Sequence, residues 1–371
     1  MTKAAELAKM GEVLTNSQIG GRRNMVINGS QIVSQRATSS SFSTSTEGFI
    51  ITDRFAFSMN GTSTVYTASQ DSTAPDGFTK SIKLDCTTAD SSLSAGDFTQ
   101  IHYKIEGQDL QLLKKGTSSA EKVTISFYVR SPKTGTHILE IQDRDNTRSI
   151  SKSYTINTAD TFEYKQITFD GDTSGALNDD NGESFRLTWW LQAGSTYTSG
   201  TLATSWEATT SANRAVGQVN IGDNVANNFF ITGIQMEVGS QATPFEHRSY
   251  GEELDLCYRY YVKYHAGGSG TFSRIALGYM RTTTNLRALF TFPREMRSTP
   301  ALDDDNAGNY HVEDAGGNSD VDATVASISQ GGLQTCLVNF TTGSLTNNDP
   351  AHIGVNDSTD SLVGLGFDAE L

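Results

Sequence analysis

The chain has 371 residues, with 28 Lys and Arg against 42 Asp and Glu, and its formal net charge is −14. The basic residues are scattered apart from Arg22-Arg23 and Lys114-Lys115, whereas a nucleic-acid-binding surface needs clustered cations that displace counterions. No apolar run reaches the roughly 18 residues that a membrane span requires. We therefore expect no nucleic-acid partner, no membrane insertion, and an acidic surface that resists unspecific adhesion.

The first predicted element is a short helix over residues 3–14, which Thr2 can cap. Its thin apolar stripe consists of Ala4, Leu7, Ala8 and Leu14. Because a helix of this length is marginal alone, we expect it to dock on a copy of itself or on another protein. Lys9 and Glu12 interrupt the apolar residues, so no secretory signal is expected. Residues 20–23 (GGRR) have the composition of a flexible hinge.

Short strands separated by turn residues are predicted from Asn24 to Val238. In the clearest one, Val123, Ile125, Phe127 and Val129 alternate with Thr124, Ser126 and Tyr128. In another, Phe185, Leu187, Trp189 and Leu191 alternate with Arg186, Thr188, Trp190 and Gln192. About eleven strands with one apolar face each are typical of two packed antiparallel sheets. We therefore predict a jelly-roll over residues 24–248.

A strand, a turn and a helix are predicted in succession over residues 229–264, between two β-rich regions. One face of the strand is assigned to Phe230, Thr232, Ile234, Met236 and Val238. Ser249 and Glu252 have the spacing of a capping box, which predicts a helix over residues 250–263 in a linker of residues 249–264. The apolar stripe of that helix is Leu254, Cys257, Tyr258 and Tyr261.

The remaining residues, 265–371, are expected to form a smaller C-terminal β-sandwich. Its predicted strands are Thr271–Arg281, Leu286–Phe292, Ala323–Ile328, Thr335–Asn339 and Gly364–Glu370. The fold class is therefore all-β, with one short helix at the N-terminus and one between the domains. Cys86, Cys257 and Cys336 lie far apart and in no metal-binding spacing, so we expect reduced, buried thiols.

Several short segments between residues 24 and 261 form an ordered set. They are Asn24–Gly29, Thr52–Phe55, Lys104–Gln108, Val123–Ser131, Asn213–Asn220, Phe230–Gly239, Ala242–Arg248 (ATPFEHR) and Cys257–Tyr261 (CYRYY). This set resembles a widespread virion-protein module of bacterial and marine viruses, of the tail-fibre or carbohydrate-binding-module type. The resemblance implies a jelly-roll, a homotrimeric appendage and recognition of a host surface, and it supplies no ligand-binding residues.

Residues Phe292–Pro300 follow the pattern F-P-x-x-M-R-x-x-P and resemble a segment of phage fibre tips, as does the ending Phe367–Leu371. A tip of this length with few large hydrophobic residues is expected to complete its core by trimerisation. The resemblance thus predicts a tail fibre or similar appendage, assembled in the host cytoplasm. Residues 1–23 would attach it to a tail or adaptor protein, and the jelly-roll or residues 265–371 would bind a host glycan or receptor.

Motifs of catalysis do not occur in the sequence, which lacks G-x-S-x-G, H-E-x-x-H and G-x-x-x-x-G-K-[ST]. We therefore expect a binding protein and not an enzyme. Two alternatives stay open. One is a polysaccharide-degrading tailspike, whose pair of carboxylates the 42 acidic residues could supply. The other is a structural collar, connector or head-decorating protein without receptor binding.

The segment Asp170–Gly175 (DGDTSG) matches the first six positions of a calcium-binding loop. Asn181 stands at the twelfth position, where such a loop needs a bidentate Glu, so further acids would have to complete the oxygen cage. The candidate ligands of a structural calcium are Asp170, Asp172, Asp179 and Asp180. The alternative is an acidic, glycine-rich hairpin loop without metal. No other cofactor is expected.

An aromatic side chain on the polar side of a strand is a candidate sugar platform, because its ring can lie against a sugar while polar neighbours orient the hydroxyls. The candidate carbohydrate-binding residues are Trp190, Tyr128 and Arg186. Alternatively, these aromatics pack under a loop, at a trimer interface or beneath the next domain.

Tyr and Arg dominate buried protein interfaces, and the linker carries both. We therefore predict that three copies of the 250–263 helix meet near a threefold axis through Leu254, Tyr258 and Tyr261.

Overall fold

The computed structural model describes Lys3 and residues 23–43, 47–265, 273–304, 310–315, 321–355 and 363–371. The chain divides into two compact units. The first comprises Met1–Ser34, Thr38–Ser249 and Leu371, and the second comprises Gln35–Ala37 and Tyr250–Glu370. The predicted helix over residues 3–14 lies outside the described residues except for Lys3. Within the described part of the chain, no helix is long and apolar enough to cross a membrane.

The first unit is a sandwich of two antiparallel sheets. Its strands are β1 (Ser39–Phe42), β2 (Glu47–Gly48), β3 (Phe55–Asn60), β4 (Val65–Asp71), β5 (Ser81–Thr88), β6 (Phe98–Glu106), β7 (Val123–Arg130), β8 (Gly135–Asp143), β9 (Arg148–Ile156), β10 (Glu163–Phe169), β11 (Glu183–Ala193), β12 (Glu207–Ala208) and β13 (Asn228–Val238). One sheet has six strands in the order β1-β4-β5-β13-β7-β10. The other has seven, in the order β12-β9-β8-β11-β6-β3-β2. This arrangement confirms the predicted jelly-roll.

Short helical segments interrupt the loops of the first unit. They are α1 (Ser195–Thr198) and the single 3-10 turns Gly107–Asp109, Gln111–Leu113, Ser211–Asn213 and Ile221–Asp223.

The core of the first unit lies between its two sheets. Val123, Ile125, Phe127 and Val129 of β7 face Phe185, Leu187, Trp189 and Leu191 of β11, and all are buried. The ring centroids of Phe127 and Trp189 are 5.8 Å apart with the planes nearly perpendicular. Both predicted apolar faces are therefore confirmed. The second row of each strand points outward except at Gln192, which follows a bulge after Trp190 and accepts from the Tyr66 hydroxyl of β4, in the other sheet, at 2.9 Å.

Strand β13 changes face in its middle, which the simple alternation did not predict. A bulge lies between Thr232 and Gln235, where Gly233 has φ +62°. Before the bulge Phe229 and Ile231 enter the core, and after it Ile234 and Met236 do so. Because one extra residue shifts the period by one, Phe230 and Thr232 do not share a face with Ile234, and that assignment is wrong.

The second unit is also all-β, apart from one helix, α2 (Tyr250–Cys257). Its strands are β14 (Tyr261–His265), β15 (Ser273–Thr282), β16 (Asn285–Thr291), β17 (Ala301–Asp304), β18 (Tyr310–Asp314), β19 (Val321–Gly331), β20 (Thr335–Thr342), β21 (Pro350–Val355) and β22 (Gly364–Asp368). Six of them close into a barrel in the order β15-β16-β20-β19-β18-β21, and β14-β22-β17 form a separate sheet. The C-terminal β-domain is confirmed, with a closed barrel in place of the expected sandwich.

The predicted helix over residues 250–263 is too long. It begins at Tyr250, directly after the predicted cap Ser249, but it ends at Cys257. Tyr261–His265 is instead a strand that pairs with β22. Aromatic and β-branched residues at successive positions favour a strand once a pairing partner is present.

The three cysteines, Cys86, Cys257 and Cys336, are free and buried, as their spacing predicted.

Candidate functional site

The outward face of the six-stranded sheet carries the exposed aromatic residues of the first unit. The strand register places Tyr164 of β10 opposite Tyr128 of β7, and Tyr128 opposite Thr232 of β13. Since Phe127 and Val129 point into the core, the Tyr128 side chain must point away from it.

These tyrosines begin a continuous row of aromatic rings, which we call the aromatic row and which consists of Tyr164, Tyr128, Phe78, Phe245 and His247. Successive ring centroids are 5.1, 5.4, 5.0 and 4.9 Å apart. The rings are tilted or edge-on to one another, which is the favoured geometry for aromatic pairs. Tyr164 is 46% exposed and His247 is exposed, whereas Phe78, Tyr128 and Phe245 are half-buried.

Gly233 allows the aromatic row to lie close to the sheet. A Cβ atom at this position would lie 2.7 Å from Cζ of Phe78 and 3.0 Å from Cδ2 of Tyr128. The bulge of β13 therefore supplies both the left-handed backbone conformation and the space into which the Phe78 ring fits.

The chain after β13 holds the other end of the aromatic row in place. We call Ala242–Arg248 the closing segment. Phe245 and His247 pack on the ring of Phe78. The residues between and after them face the opposite way, where Glu246 accepts from Asn24 N at 2.7 Å and Arg248 donates to the carbonyl oxygen of Asn24 at 2.6 Å. Successive side chains of the closing segment point in opposite directions. One set packs on the aromatic row and the other hydrogen-bonds to residues 23–26, so the segment connects the two.

The Tyr164 hydroxyl and the buried Glu237 carboxylate lie at the Tyr164 end of the aromatic row. Burial raises the pKa of the Tyr164 hydroxyl, the nearby Glu237 and Tyr128 raise it further, and a hydrogen bond with Ser126 partly offsets these effects. The hydroxyl is therefore protonated at neutral pH and can both donate and accept a hydrogen bond. Glu237 is itself buried, and it accepts from Gln235 Nε2 at 2.7 Å and from Thr243 N at 3.0 Å.

The three predicted carbohydrate-binding residues do not form one site. Tyr128 belongs to the aromatic row, whereas Trp190 and Arg186 lie on β11 in the other sheet. Arg186 is held by both carboxylate oxygens of Glu183, at 2.5 and 2.8 Å.

Trp190 is fully buried, so its prediction as an exposed sugar platform is wrong. It lies in a small cluster with Ile138 and Ala215, against which Tyr197 and Leu202 pack. Its indole Nε1 donates to Glu140 at 3.1 Å. The loop after β11 therefore covers this face of the sheet, which is the first of the alternatives considered for the aromatics.

The four predicted calcium ligands are not assembled into a metal site. Asp170 pairs with Lys122 at 2.7 Å, and Asp172 pairs with Lys115 and Arg148 at 3.1 and 2.6 Å. Asp179 is exposed, and Asp180 accepts from Gly182 N. Among the residues that the structure describes, no group of three or more His, Cys, Asp or Glu side chains could hold a metal ion.

The predicted trimer contacts lie in the second unit. Leu254 is half-buried, and Tyr258 is a half-buried residue that packs on the core of its own unit. Tyr261 is fully buried, with the Arg36 guanidinium 3.7 Å from its ring centroid and its hydroxyl donating to Asp303 at 2.8 Å. Tyr261 is thus a core residue of its own chain, and its assignment to a surface between chains is wrong.

Sequence reasoning found Tyr128 and missed the rest of the aromatic row. A signal existed for Tyr164, which alternates with the inward-facing Ile167 and Phe169 of β10. Phe78 lies in a loop and His247 in an irregular segment, and neither has a local pattern that predicts which sheet it packs against.

No family model matches the chain, and no curated protein matches it. Solved structures with a similar arrangement include the enzymatically active domain of tailspike protein 4 of bacteriophage CBA120, at 12% identity and a TM-score of 0.29. That match covers 58% of this chain and 21% of the tailspike domain, so the chain spans about a fifth of the length of that protein.

Two bacterial proteins from Clostridium thermocellum are also similar. One is the family 11 carbohydrate-binding module of a cellulosomal cellulase, at 11% identity and a TM-score of 0.27, covering 62% of this chain and 98% of the module. The other comprises a carbohydrate-binding module and the catalytic module of xylanase 10B, at 9% identity and a TM-score of 0.29. That match covers 62% of this chain and 30% of the xylanase chain. At these values the similarities do not identify a ligand for this chain.

Proposed function

We propose that the chain is a glycan-binding protein of a virion appendage, and that the aromatic row is its sugar-binding surface. The observation that carries the proposal is the exposure of Tyr164 beside Tyr128 on the open face of a jelly-roll sheet. An exposed ring offers an apolar face to a pyranose, and the Tyr164 hydroxyl can exchange hydrogen bonds with its hydroxyl groups.

The virion assignment is supported by the ordered segments that resemble the appendage module. One of its two most specific segments, Ala242–Arg248, is the closing segment that anchors the aromatic row; the other is Cys257–Tyr261. In this proposal the appendage is a homotrimer that attaches to a host cell surface, and the chain binds its ligand without catalysing a reaction.

Glycan binding is tested by screening the full chain against a broad panel of bacterial surface polysaccharides and then measuring affinity for the best one by calorimetry. We expect Tyr164→Ala to weaken binding about tenfold, since burying an aromatic ring contributes on the order of 1–2 kcal/mol. The matched control is Tyr279→Ala, because Tyr279 of β15 is 44% exposed and lies outside the aromatic row.

Two results would contradict the proposed site: equal affinity of Tyr164→Ala and the unaltered chain, or a loss caused by Tyr279→Ala instead. Release of reducing ends from the bound polysaccharide would favour the tailspike alternative.

The oligomeric state is tested separately by sedimentation equilibrium. A homotrimer of 40.1 kDa chains has a mass of about 120 kDa, whereas a stable monomer at micromolar concentration would rule out the trimeric appendage. Tyr261→Asp is unsuitable as a disrupting variant, because a carboxylate at this buried position would unfold the second unit.

A further inference from the structure

The ammonium group of Lys115 lies inside the loop that was predicted to bind calcium. Its side chain is 3% exposed, and it follows the 3-10 turn Gln111–Leu113. Nζ contacts four oxygens: Oδ2 of Asp143 at 2.5 Å, Oδ2 of Asp172 at 3.1 Å, and the carbonyl oxygens of Ser174 and Gly175 at 2.9 and 2.8 Å. We call these four oxygens the Lys115 cage.

Each carboxylate of the Lys115 cage is oriented by further hydrogen bonds. Oδ1 of Asp143 accepts from the backbone N–H groups of Asp145 and Asn146, both at 3.0 Å. Asp172 is held by Arg148, through Nε at 2.6 Å and Nη2 at 3.1 Å. The side chains of Asp143 and Asp172 are 0% and 3% exposed, so the cage is a fixed, buried feature of the first unit.

The Lys115 cage has the chemistry of a site for a hard cation. Two carboxylates and two backbone carbonyls are the ligands that calcium takes in proteins. Three of the four oxygens come from Asp172, Ser174 and Gly175, the third, fifth and sixth positions of the DGDTSG segment. The loop therefore folds around a cation as its sequence suggests, but the cation is an ammonium group with three N–H donors.

The charges of the surrounding groups balance without a metal ion. Lys115 and Arg148 carry two positive charges, and Asp143 and Asp172 carry two negative charges. Removing one partner of a buried ion pair leaves an uncompensated charge, which strongly destabilises the fold. Without the Lys115 charge, the two carboxylates of the cage would face only the Arg148 charge, and binding of another cation would then stabilise the fold.

We propose that Lys115 is a covalently tethered structural cation, which replaces a bound divalent ion and makes the fold of the 172–175 loop independent of free calcium. A small cavity lined by Leu113, Phe169 and Trp206 borders Lys115 and Asp172. In this proposal, removal of the lysine stem adds its volume to this space, and a metal ion with its water ligands takes the place of the ammonium group.

The test is the melting temperature of the full chain in chelator and in millimolar calcium. The unaltered chain should melt at the same temperature in both. Lys115→Ala should melt roughly 10 °C lower in chelator and recover most of that loss in calcium. Isothermal titration should then detect one calcium ion per chain in the variant and none in the unaltered chain.

Two further variants make the result specific. Lys115→Asn, which offers the cage an additional carbonyl oxygen, should show the same recovery in case Lys115→Ala does not fold. Lys122→Ala removes an exposed lysine that pairs with Asp170 of the same segment at 2.7 Å, and it should neither lower the melting temperature by more than a degree or two nor create a calcium response.

The proposal is overturned if neither Lys115 variant responds to calcium, or if both melt like the unaltered chain in chelator. A rise in the melting temperature of the unaltered chain in calcium would also overturn it. As a check that needs no variant, amine-reactive labelling of the native chain should modify the exposed Lys114 and spare Lys115. Rapid labelling of Lys115 would contradict the buried cage.

Discussion

Two histidines in the first unit are neutral because they are buried. The pKa of His137 is lowered to about 4, mainly by burial and to a smaller extent by the nearby Lys165, while a contact with the Lys133 carbonyl opposes the shift. Burial also lowers the pKa of His102, with Arg186 the largest of several cationic contributions. In the unfolded chain the pKa of each is about 6.5. Stability is therefore fully present above pH 6.5 and is lost as the pH falls toward 4.

This pKa difference predicts a measurable pH dependence of stability. Between pH 7.5 and pH 5, the free energy of unfolding should fall by about 2 kcal/mol from His137 alone, because only the unfolded state takes up the proton. Urea unfolding of His137→Gln should show a pH dependence that is smaller by about this amount. Identical pH dependence of the variant and the unaltered chain would mean that folding does not shift the pKa of His137.

Gly233 is the residue on which the shape of the aromatic row depends. Gly233→Ala should destabilise the first unit by about 1–3 kcal/mol, because a side chain is strained at φ +62° and its Cβ would collide with Phe78. It should also weaken glycan binding by displacing that ring.

The control is Gly77→Ala, in which φ is +88° but nothing lies within 4 Å of the added Cβ. It carries the backbone cost without the collision, so binding should be retained. If both variants bind as the unaltered chain does, the position of Phe78 does not matter to the ligand.

At the scale of elements, strands with a regular alternation could be predicted and those with an irregularity could not. The faces of β7, and of β11 between its two register shifts, from Phe185 to Trp190, follow directly from their period of two. The bulge in β13 gives no such signal, since Gly233 in the sequence could equally mark a bend or a close approach.

Long-range pairing explains the other differences. Whether Tyr261–His265 is helix or strand depends on β22, which lies about a hundred residues later in the chain. The burial of Trp190 likewise depends on Tyr197, Leu202 and Ala215, whose Ser- and Thr-rich loop has no periodicity. The candidate site was therefore predicted only at Tyr128, where strand alternation alone decides the side-chain direction.

The closing segment yields a prediction at the element scale. Glu246 accepts from Asn24 N at 2.7 Å and from Arg248 Nη2 at 3.1 Å, and the Arg248 side chain is only 9% exposed. Glu246→Ala should lower the free energy of unfolding of the first unit by about 2–3 kcal/mol, since hydrogen bonds to charged groups are lost and the largely buried Arg248 guanidinium loses its carboxylate partner.

Chemical unfolding of Glu246→Ala and Glu246→Gln checks this expectation. The glutamine keeps one acceptor oxygen and should recover part of the loss. Equal stability of the alanine variant and the unaltered chain would show that the Glu246 carboxylate does not help to hold the closing segment.

At the scale of the whole molecule, the described residues form two large hydrophobic cores, one in each unit. Phe127 and Trp189 belong to the core of the first unit, and Phe290 and Phe367 belong to that of the second. The aromatic row lies entirely in the first unit. Chains with separate cores commonly depart from two-state unfolding, so each unit should have a stability of its own.

This separation predicts two calorimetric transitions that respond to different substitutions. Phe367 is fully buried, with ring centroids 5.1 and 5.0 Å from those of Phe290 and Phe292. Phe367→Ala should cost about 3–5 kcal/mol and lower one transition by roughly 10–20 °C. Phe127→Ala, which removes an equally buried ring from the first unit, should lower the other transition.

Glycan binding at 25 °C should survive Phe367→Ala and weaken in Phe127→Ala, because only the latter loosens the sheet that carries Tyr128. A single transition that shifts equally in both variants would instead mean that the two cores unfold together, and that recognition depends on the integrity of the entire chain.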